Sequence, residues 1–306
     1  MPWLLVVIAA FIFLRVTSVA AEAPAPLAAA VQRTIEAAGP TLTVTGKPVE
    51  TEALKTVYEQ RQYNPIWVDS TGINSRGQAL LQAFAGAARD GLEPADYDPG
   101  AAARTATGVD QLAATEVGLS ASLLRYTTDI RRGRAVPEKM DSDQRIAPRP
   151  IDPVQVLQGA ASAPDLDAYI SLLAPADPFY LGLRQALDRY RSIASAGGWP
   201  TIAAGGKLGV GSIDPRVRDL RRHLQLSGDL AADPNDQPSN RVDDALRQAV
   251  QRFQERHGLP ATGEVNAGTL QALNIPVATR IRQILINLER ARWLPEDLGD
   301  PYVLVN

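Results

Sequence analysis

The sequence predicts a mainly α-helical chain of two domains that ends in a stub of a missing β-rich domain. Between residues 51 and 200, apolar residues recur at the i, i+3, i+4 spacing of amphipathic helices. After the glycine-rich stretches at 195–200 and 205–209, a compact three-helix module begins with Asp214-Pro215, a typical helix start. A last amphipathic helix, residues 281–294, then leads into the β-branched run 302–306. Because an apolar strand needs a partner strand, we expect a further domain after it.

Composition limits the class of protein. The 306 residues allow about two domains plus a leader, and the hydrophobic fraction of 45% is ordinary for a soluble globular chain. A net charge of −3 argues against nucleic acid as a partner, since neutralising phosphates requires a basic excess. The absence of cysteine removes disulfides and a thiolate nucleophile from consideration.

Residues 1–20 are predicted to be a secretory signal peptide. The apolar run from Trp3 to Leu14 is shorter than the roughly 20 residues of a membrane span, and small residues follow at Ser18 and Ala20. We therefore expect cleavage near Ala20 and a periplasmic protein. The alternative is an uncleaved membrane anchor, favoured by Arg15 and by the missing basic residues at the start; the membrane would then be a partner only through this leader.

Residues 21–40, rich in Ala and Pro, are predicted to be a linker with a short helical pattern at 28–38. Residues 41–200 are predicted to form the first, helical domain. Its clearest apolar periodicities lie at residues 54–58, 79–87, 112–126 and 180–193, with prolines at 137–153 marking loops.

Residues 205–276 are predicted to form the three-helix module. Its first helix follows Asp214, its second covers 243–257 and stops at Gly258, and its third follows Asn266 as N-cap. Residues 233–240, polar and proline-rich, are predicted to be an exposed loop. Residues 277–306 are predicted to be a linker helix and the first strand of the absent domain.

The two longer module helices look like copies of one unit, since the pattern starting at Val217 is echoed from Leu246. The runs AVQRFQ at 249–254, HGL at 257–259, TG at 262–263 and TLQALN at 269–274 resemble the peptidoglycan-binding module of bacterial wall enzymes. The resemblance covers about 80 residues and implies peptidoglycan as the partner.

The other motifs resemble large Gram-negative L,D-transpeptidases, which crosslink peptidoglycan stem peptides in cell-wall biogenesis. YNPIW at 63–67, ARDGLEPADY at 88–97, IRRGR at 130–134 and GGWP at 197–200 are similar to their scaffold domain. NLERARWLP at 287–295 and YVLVN at 302–306 resemble the start of their catalytic domain. The catalytic signature, a His followed by Ser-His-Gly-Cys, is absent. The resemblance therefore implies a truncated, non-catalytic scaffold and binding part of such an enzyme, without catalytic residues or cofactors.

The predicted peptidoglycan-binding surface lies around the loop and cap that join the second and third module helices. Its candidate residues are His257, Gly258, Thr262, Gly263 and Asn266. Arg221 and Arg222 are further candidates, since guanidinium groups pair well with the carboxylates of stem peptides. The alternative roles are structural: His257 as a favourable residue at the helix C-terminus, and the arginines as a solvated face.

Several other interpretations are weaker. A metal site is not expected, because the two histidines have no accompanying ligand cluster. The LPATG run at 259–263 spells a sortase signal but is followed by a capped helix, which indicates a turn. A glycosidase acid/base pair among the acidic residues is not favoured, because carboxylates beside Gly, Pro and Ser are common in turns; these residues are Asp69, Glu93, Asp96 and Asp98. A sugar-stacking platform is not favoured either, because tryptophans near prolines are more often packed in the core; these are Trp67, Trp199 and Trp293. Besides peptidoglycan, other cell-wall synthesis proteins are a second class of partner, and the alternative function is a protein-docking scaffold without direct glycan binding.

Overall fold

The computed structural model describes residues 25–140, 147–231 and 239–295. Within these ranges the chain forms thirteen α-helices and two short two-stranded antiparallel sheets, which confirms the mainly α prediction. In the same ranges, no helix combines the length and the apolar character that crossing a membrane requires. The predicted leader, the loop 233–240 for most of its length and the strand 302–306 lie outside the described residues.

The chain divides into two compact units, of which the first comprises residues up to 78 and 99–122. Its elements are α1 (Ala25–Ala37), the hairpin β1–β2 (Thr41–Val44 and Lys47–Glu50), α2 (Glu52–Gln60), the hairpin β3–β4 (Val68–Asp69 and Gly72–Ile73) and α4 (Ala101–Arg104). Helices α3 (Ser75–Ala85) and α5 (Val109–Arg132) begin in this unit and continue in the second.

Two features of the first unit correct the sequence interpretation. Residues 21–40 are not simply a linker, because α1 buries Leu27, Val31 and Ile35 and packs against α2. The hairpin β1–β2 begins the domain 41–200, which was predicted to be helical, and it precedes residue 51, where the helical periodicity starts. Its two-residue turn has positive φ at both Thr45 and Gly46, the backbone that right-twisted hairpins require.

A buried carboxylate organises the centre of the first unit. Glu116 of α5 is fully buried and accepts hydrogen bonds from the Tyr58 hydroxyl and from the backbone N–H groups of Ile66, Trp67 and Val68, the last three at 2.6, 2.8 and 3.0 Å. The indole of Trp67 donates to Ser120 Oγ at 2.7 Å. One glutamate thus fixes the path of the chain into β3.

The second unit comprises residues 79–98 and 123 onward. Its helices are the remaining parts of α3 and α5, then α6 (Pro137–Met140), α7 (Pro153–Ser162), α8 (Leu166–Ser171), α9 (Pro178–Ser195), α10 (Arg216–Ser227), α11 (Asp244–Arg256), α12 (Ala267–Leu273) and α13 (Val277–Trp293). Aspartates cap α7, α8 and α9, with proline at the first position of α7 and α9.

Helix α13 packs against α9, a partner that the sequence pattern did not indicate. Leu288 and Ala291 of α13 are buried against Tyr180 and Leu187 of α9. A polar network reinforces the contact. Arg292, only 1% exposed, donates to the backbone carbonyl of Asp90 and, at 3.1 Å, to the Tyr180 hydroxyl.

Along the chain, the three-helix module therefore lies between α9 and α13, the two helices that pack side by side. The segments that enter and leave it are joined: Trp199 Nε1 donates to the Ile275 carbonyl at 3.1 Å, and Asn274 exchanges two hydrogen bonds with the backbone of Ile202, at 2.8 and 2.9 Å. The module is consequently an insertion into a helical pair, with its two connections adjacent.

Candidate functional site

The module is a small domain with its own apolar core. Helices α10, α11 and α12 surround a cluster of buried aliphatic side chains and Phe253; the aliphatic members are Ile202, Leu208, Val217, Leu220, Leu224, Leu230, Val242, Leu246, Ala249, Val250, Val265 and Leu273. The predicted cap Asn266 is confirmed, since it accepts from Thr269 N at 2.9 Å; Asp243, predicted only as the start of its helix, caps α11 by accepting from Leu246 N at 2.8 Å. Asp214 accepts from Arg216 N at 2.9 Å, so it caps α10 from one residue further out.

Gln254, a fully buried residue near the end of α11, holds the loop between α11 and α12. Its Nε2 donates to the Glu264 carbonyl at 2.9 Å and to Thr269 Oγ1 at 3.0 Å, and its Oε1 accepts from Gly263 N at 2.8 Å. Gly263 has φ of +73°, and a Cβ there would lie 2.6 Å from Cγ of Arg247. The loop therefore folds back tightly along α11.

A second loop, residues 207–214, is hydrogen-bonded to the rest of the module at both of its ends. Leu208 and Val265 exchange backbone hydrogen bonds at 3.1 and 2.9 Å. At the other end, Gly211 N donates to the Val242 carbonyl and Val242 N to the Ser212 carbonyl, each at 2.9 Å. Asp214 N donates to Asn240 O at 2.9 Å. This segment, which we call the entry loop, has a fixed backbone.

The residues predicted around the α11–α12 turn differ in accessibility. Gly258, Thr262 and Asn266 are exposed, whereas Gly263 is buried and His257 is half-buried. The side chain of Asn266 is used in capping, and Thr262 Oγ1 accepts from Gln254 Nε2 at 3.3 Å. Only part of this predicted surface is thus accessible to a ligand, and it lies next to the entry loop through the Leu208–Val265 pair.

The prediction that Arg221 lies on a solvated face is wrong. Its side chain is 9% exposed and pairs with the Asp243 carboxylate, so it ties α10 to the N-cap of α11. Position 221 follows Val217 by one helical turn and lies at the edge of the buried stripe. Arg222 is exposed, as predicted.

The two histidines belong to an aromatic stack that links the module to α9. Ring centroids lie 5.7 Å apart for Tyr190 and Trp199, 4.7 Å for Trp199 and His223, 5.9 Å for His223 and Phe253, and 4.0 Å for Phe253 and His257. Burial lowers the pKa of His223 to about 4 and lowers the pKa of His257. Both rings are therefore neutral near pH 7, and His257 acts through stacking rather than through a positive charge at the helix end.

The tryptophans and acidic residues lie where packing and turns were predicted. Trp67 is fully buried, Trp293 nearly so, and the N–H of Trp199 finds a backbone acceptor. Asp96 pairs with Arg134 at 2.7 Å, and Asp69 accepts from Thr71 in a turn. Across the ranges that the structure describes, no three His, Asp or Glu residues are placed to hold a metal ion.

Sequence reasoning missed the exposed apolar side chains of the entry loop. Val210 is 55% exposed and Ile213 75%. The sequence signal for them was available, because GVGSI at 209–213 places two aliphatic residues among small ones just before a helix cap. The predicted boundary between the domains covers residues 205–209 and gives no role to Val210 and Ile213.

We expect Gln254→Ala to loosen the α11–α12 loop and to destabilise the module by about 2 kcal/mol, because it leaves several buried polar groups without partners. Hydrogen exchange at the Gly263 amide should become faster. The matched control is Gln248→Ala, at an exposed position of the same helix. Unchanged exchange in the Gln254 variant would contradict the role given to this side chain.

Two protein families match the chain. The family described as "Scaffold domain" matches residues 52–187, and the family described as "Putative peptidoglycan binding domain" matches residues 214–273. A comparison with curated proteins found no match. The second match covers α10 to α12, that is, the module built around Gln254. The chain thus joins a scaffold domain to a peptidoglycan-binding domain, an architecture like that of cell-wall enzymes.

Proposed function

We propose that this chain is the scaffold and peptidoglycan-binding part of an L,D-transpeptidase, and that it acts in the periplasm by holding such an enzyme at its substrate. The observation that carries the proposal is the module itself: a matched peptidoglycan-binding domain with its own core and two ordered loops. The motifs at 63–67, 88–97, 130–134 and 287–295 support the assignment to this enzyme class by resemblance.

Binding, rather than chemistry, is the role that we propose for these residues. L,D-transpeptidases act through a cysteine thiolate, and this sequence contains no cysteine. The contribution of the chain to crosslinking would then be proximity, since holding an enzyme on an insoluble substrate raises its effective concentration there.

The full chain is expected to co-sediment with purified sacculi and to form no crosslinked product from muropeptides. Binding should be weak to moderate and should decrease with salt, as expected for contacts between exposed cationic side chains and carboxylates. Sedimentation of the chain with sacculi, compared with a parallel sample without them, measures the binding. A chain that remains in the supernatant at low salt would contradict the proposal.

The alternative is a protein-docking scaffold without direct glycan contact. It is favoured by exposed apolar side chains on the scaffold domain, namely Leu172 at 77% and Phe179 at 57% exposure. Association with another cell-wall synthesis protein in the absence of peptidoglycan, together with failure to bind sacculi, would support this alternative.

A further inference from the structure

We propose that the entry loop, residues 207–214, is the surface of the module that contacts the peptide stems of peptidoglycan, with Val210 and Ile213 against the alanyl side chains and Arg241 beside a stem carboxylate. The inference rests on the proposed function and specifies its contact surface. All but the last residue of the loop precedes residues 214–273, which match the binding-domain family. The family match therefore does not itself assign a binding role to the loop.

Apolar exposure is concentrated at this loop. Of the large apolar side chains in the described part of the module, those with strong exposure are Val210 and Ile213. Leaving two aliphatic side chains in water is unfavourable, and a ligand that covers them regains that free energy. Peptide stems present alanyl methyl groups next to free carboxylates, whereas the intact glycan strand carries acetyl methyl groups but no free carboxylate.

The loop is also rigid enough to bind without a large ordering cost. Five backbone hydrogen bonds join it to Val265, Val242 and Asn240, all between 2.9 and 3.1 Å. Because its backbone is fixed before a ligand arrives, little conformational entropy is lost on binding. The neighbouring apolar residue Leu208 faces the core, which leaves Val210 and Ile213 as the outward members.

Charge complementarity favours a carboxylate-bearing ligand. Ile213 and Arg241 form an antiparallel bridge, so their side chains leave the backbone on the same face and about 5 Å apart. Arg241 is exposed, and its guanidinium makes no ion pair within the described ranges. Lys207, at the other end of the loop, is paired with Glu264 at 3.0 Å. On this surface, Arg241 is thus the cation placed to pair with a ligand carboxylate, and it lies beside the apolar side chain of Ile213.

The test measures binding of the full chain to sacculi for wild type, for Val210→Ser with Ile213→Ser, and for Arg241→Gln. The serine pair should bind about tenfold more weakly, since it removes the apolar area that the stem covers. Arg241→Gln should reduce the salt dependence of binding. The matched control, Leu172→Ser with Phe179→Ser, changes equally exposed apolar residues of the scaffold domain and should bind as wild type does.

The outcomes separate the two proposals. If wild type fails to bind sacculi, the proposed function is wrong. If wild type binds and both loop variants bind equally well, the function stands and the assignment of the entry loop is overturned. Stem peptides released from sacculi by an N-acetylmuramoyl-L-alanine amidase should compete with intact sacculi for the protein; sedimentation that an excess of these peptides leaves unchanged would overturn the assignment of the stem as the ligand.

Discussion

Arg292→Ala is expected to lower the free energy of unfolding by about 3 to 5 kcal/mol, the range observed when one partner of a buried ionic network is removed. The Arg292 side chain is 1% exposed, and its guanidinium lies between α13 and the hydrogen-bond acceptors on Asp90 and Tyr180. It donates to Glu289 Oε2 at 3.1 Å, in addition to the Tyr180 hydroxyl and the Asp90 carbonyl.

The loss should exceed that of an ordinary hydrogen bond, because the variant leaves buried acceptors without a donor. The Asp90 carboxylate keeps Arg184 at 3.2 Å and the Tyr180 hydroxyl at 3.0 Å, but its pKa is already raised by burial. Without the positive charge of Arg292 nearby, the cost of keeping Asp90 ionised increases.

Urea unfolding followed by tryptophan fluorescence measures the effect. Arg290→Ala is the matched control, since it removes the same type of side chain from an exposed position of the same helix. We expect the control to change stability by less than about 0.5 kcal/mol. Equal stability of the two variants would show that α13 is not fastened through Arg292.

Glu116→Ala is expected to be about as destabilising, by about 3 to 5 kcal/mol, because it removes the acceptor of four buried donors, of which the Tyr58 hydroxyl alone keeps another partner, Ser120. Three of these donors are consecutive backbone N–H groups of residues 66–68, which have no other means of being satisfied in the core. The control Glu59→Ala removes an exposed glutamate from α2 and should be close to neutral. Thermal unfolding of the two variants, measured side by side, tests the difference; a Glu116 variant as stable as the control would contradict the anchoring role.

Glu116 also predicts a pH dependence. Burial raises its pKa from the ordinary value of 4.5 to about 7, against the opposing effect of its hydrogen bonds. Between these values the folded chain binds a proton that the unfolded chain has released, so the contribution of Glu116 to stability is complete below pH 4.5 and is lost as pH rises through 7. The free energy of unfolding of wild type minus that of Glu116→Gln should therefore fall across this window. A flat difference would exclude the shift.

Sequence patterns predicted the elements whose causes are local. Asn266 was identified as a cap because a short polar side chain before an apolar stripe is the usual residue at a helix N-terminus. The apolar stripe of α11 likewise needed only its own spacing. Burial of Trp67 followed from its size, although its partner Ser120, 53 residues away, was not predictable from pattern.

Features that depend on distant partners were missed. The stripe of α1 looks the same whether or not α2 covers it, so residues 21–40 were interpreted as a linker. Helix α13 was identified, but its partner α9 lies about a hundred residues earlier in the chain. Val210 and Ile213 are visible in the sequence as aliphatic residues among small ones, but their exposure depends on the neighbouring segments that fix the entry loop in place.

The adjacent connections of the module bear on how the protein would be released from its ligand. Residues 203–206 are exposed and glycine-rich, the type of site at which a protease cuts first. A single cut there would divide the chain into two fragments, because the sequence has no cysteine and so no disulfide to join them. The fragments would stay together through the packing of α13 on α9 and the hydrogen bond from Trp199 to Ile275. Releasing the module from the folded scaffold would therefore require a second cleavage, at residues 274–277, so partial digestion should yield nicked molecules that remain associated under native conditions before any free module.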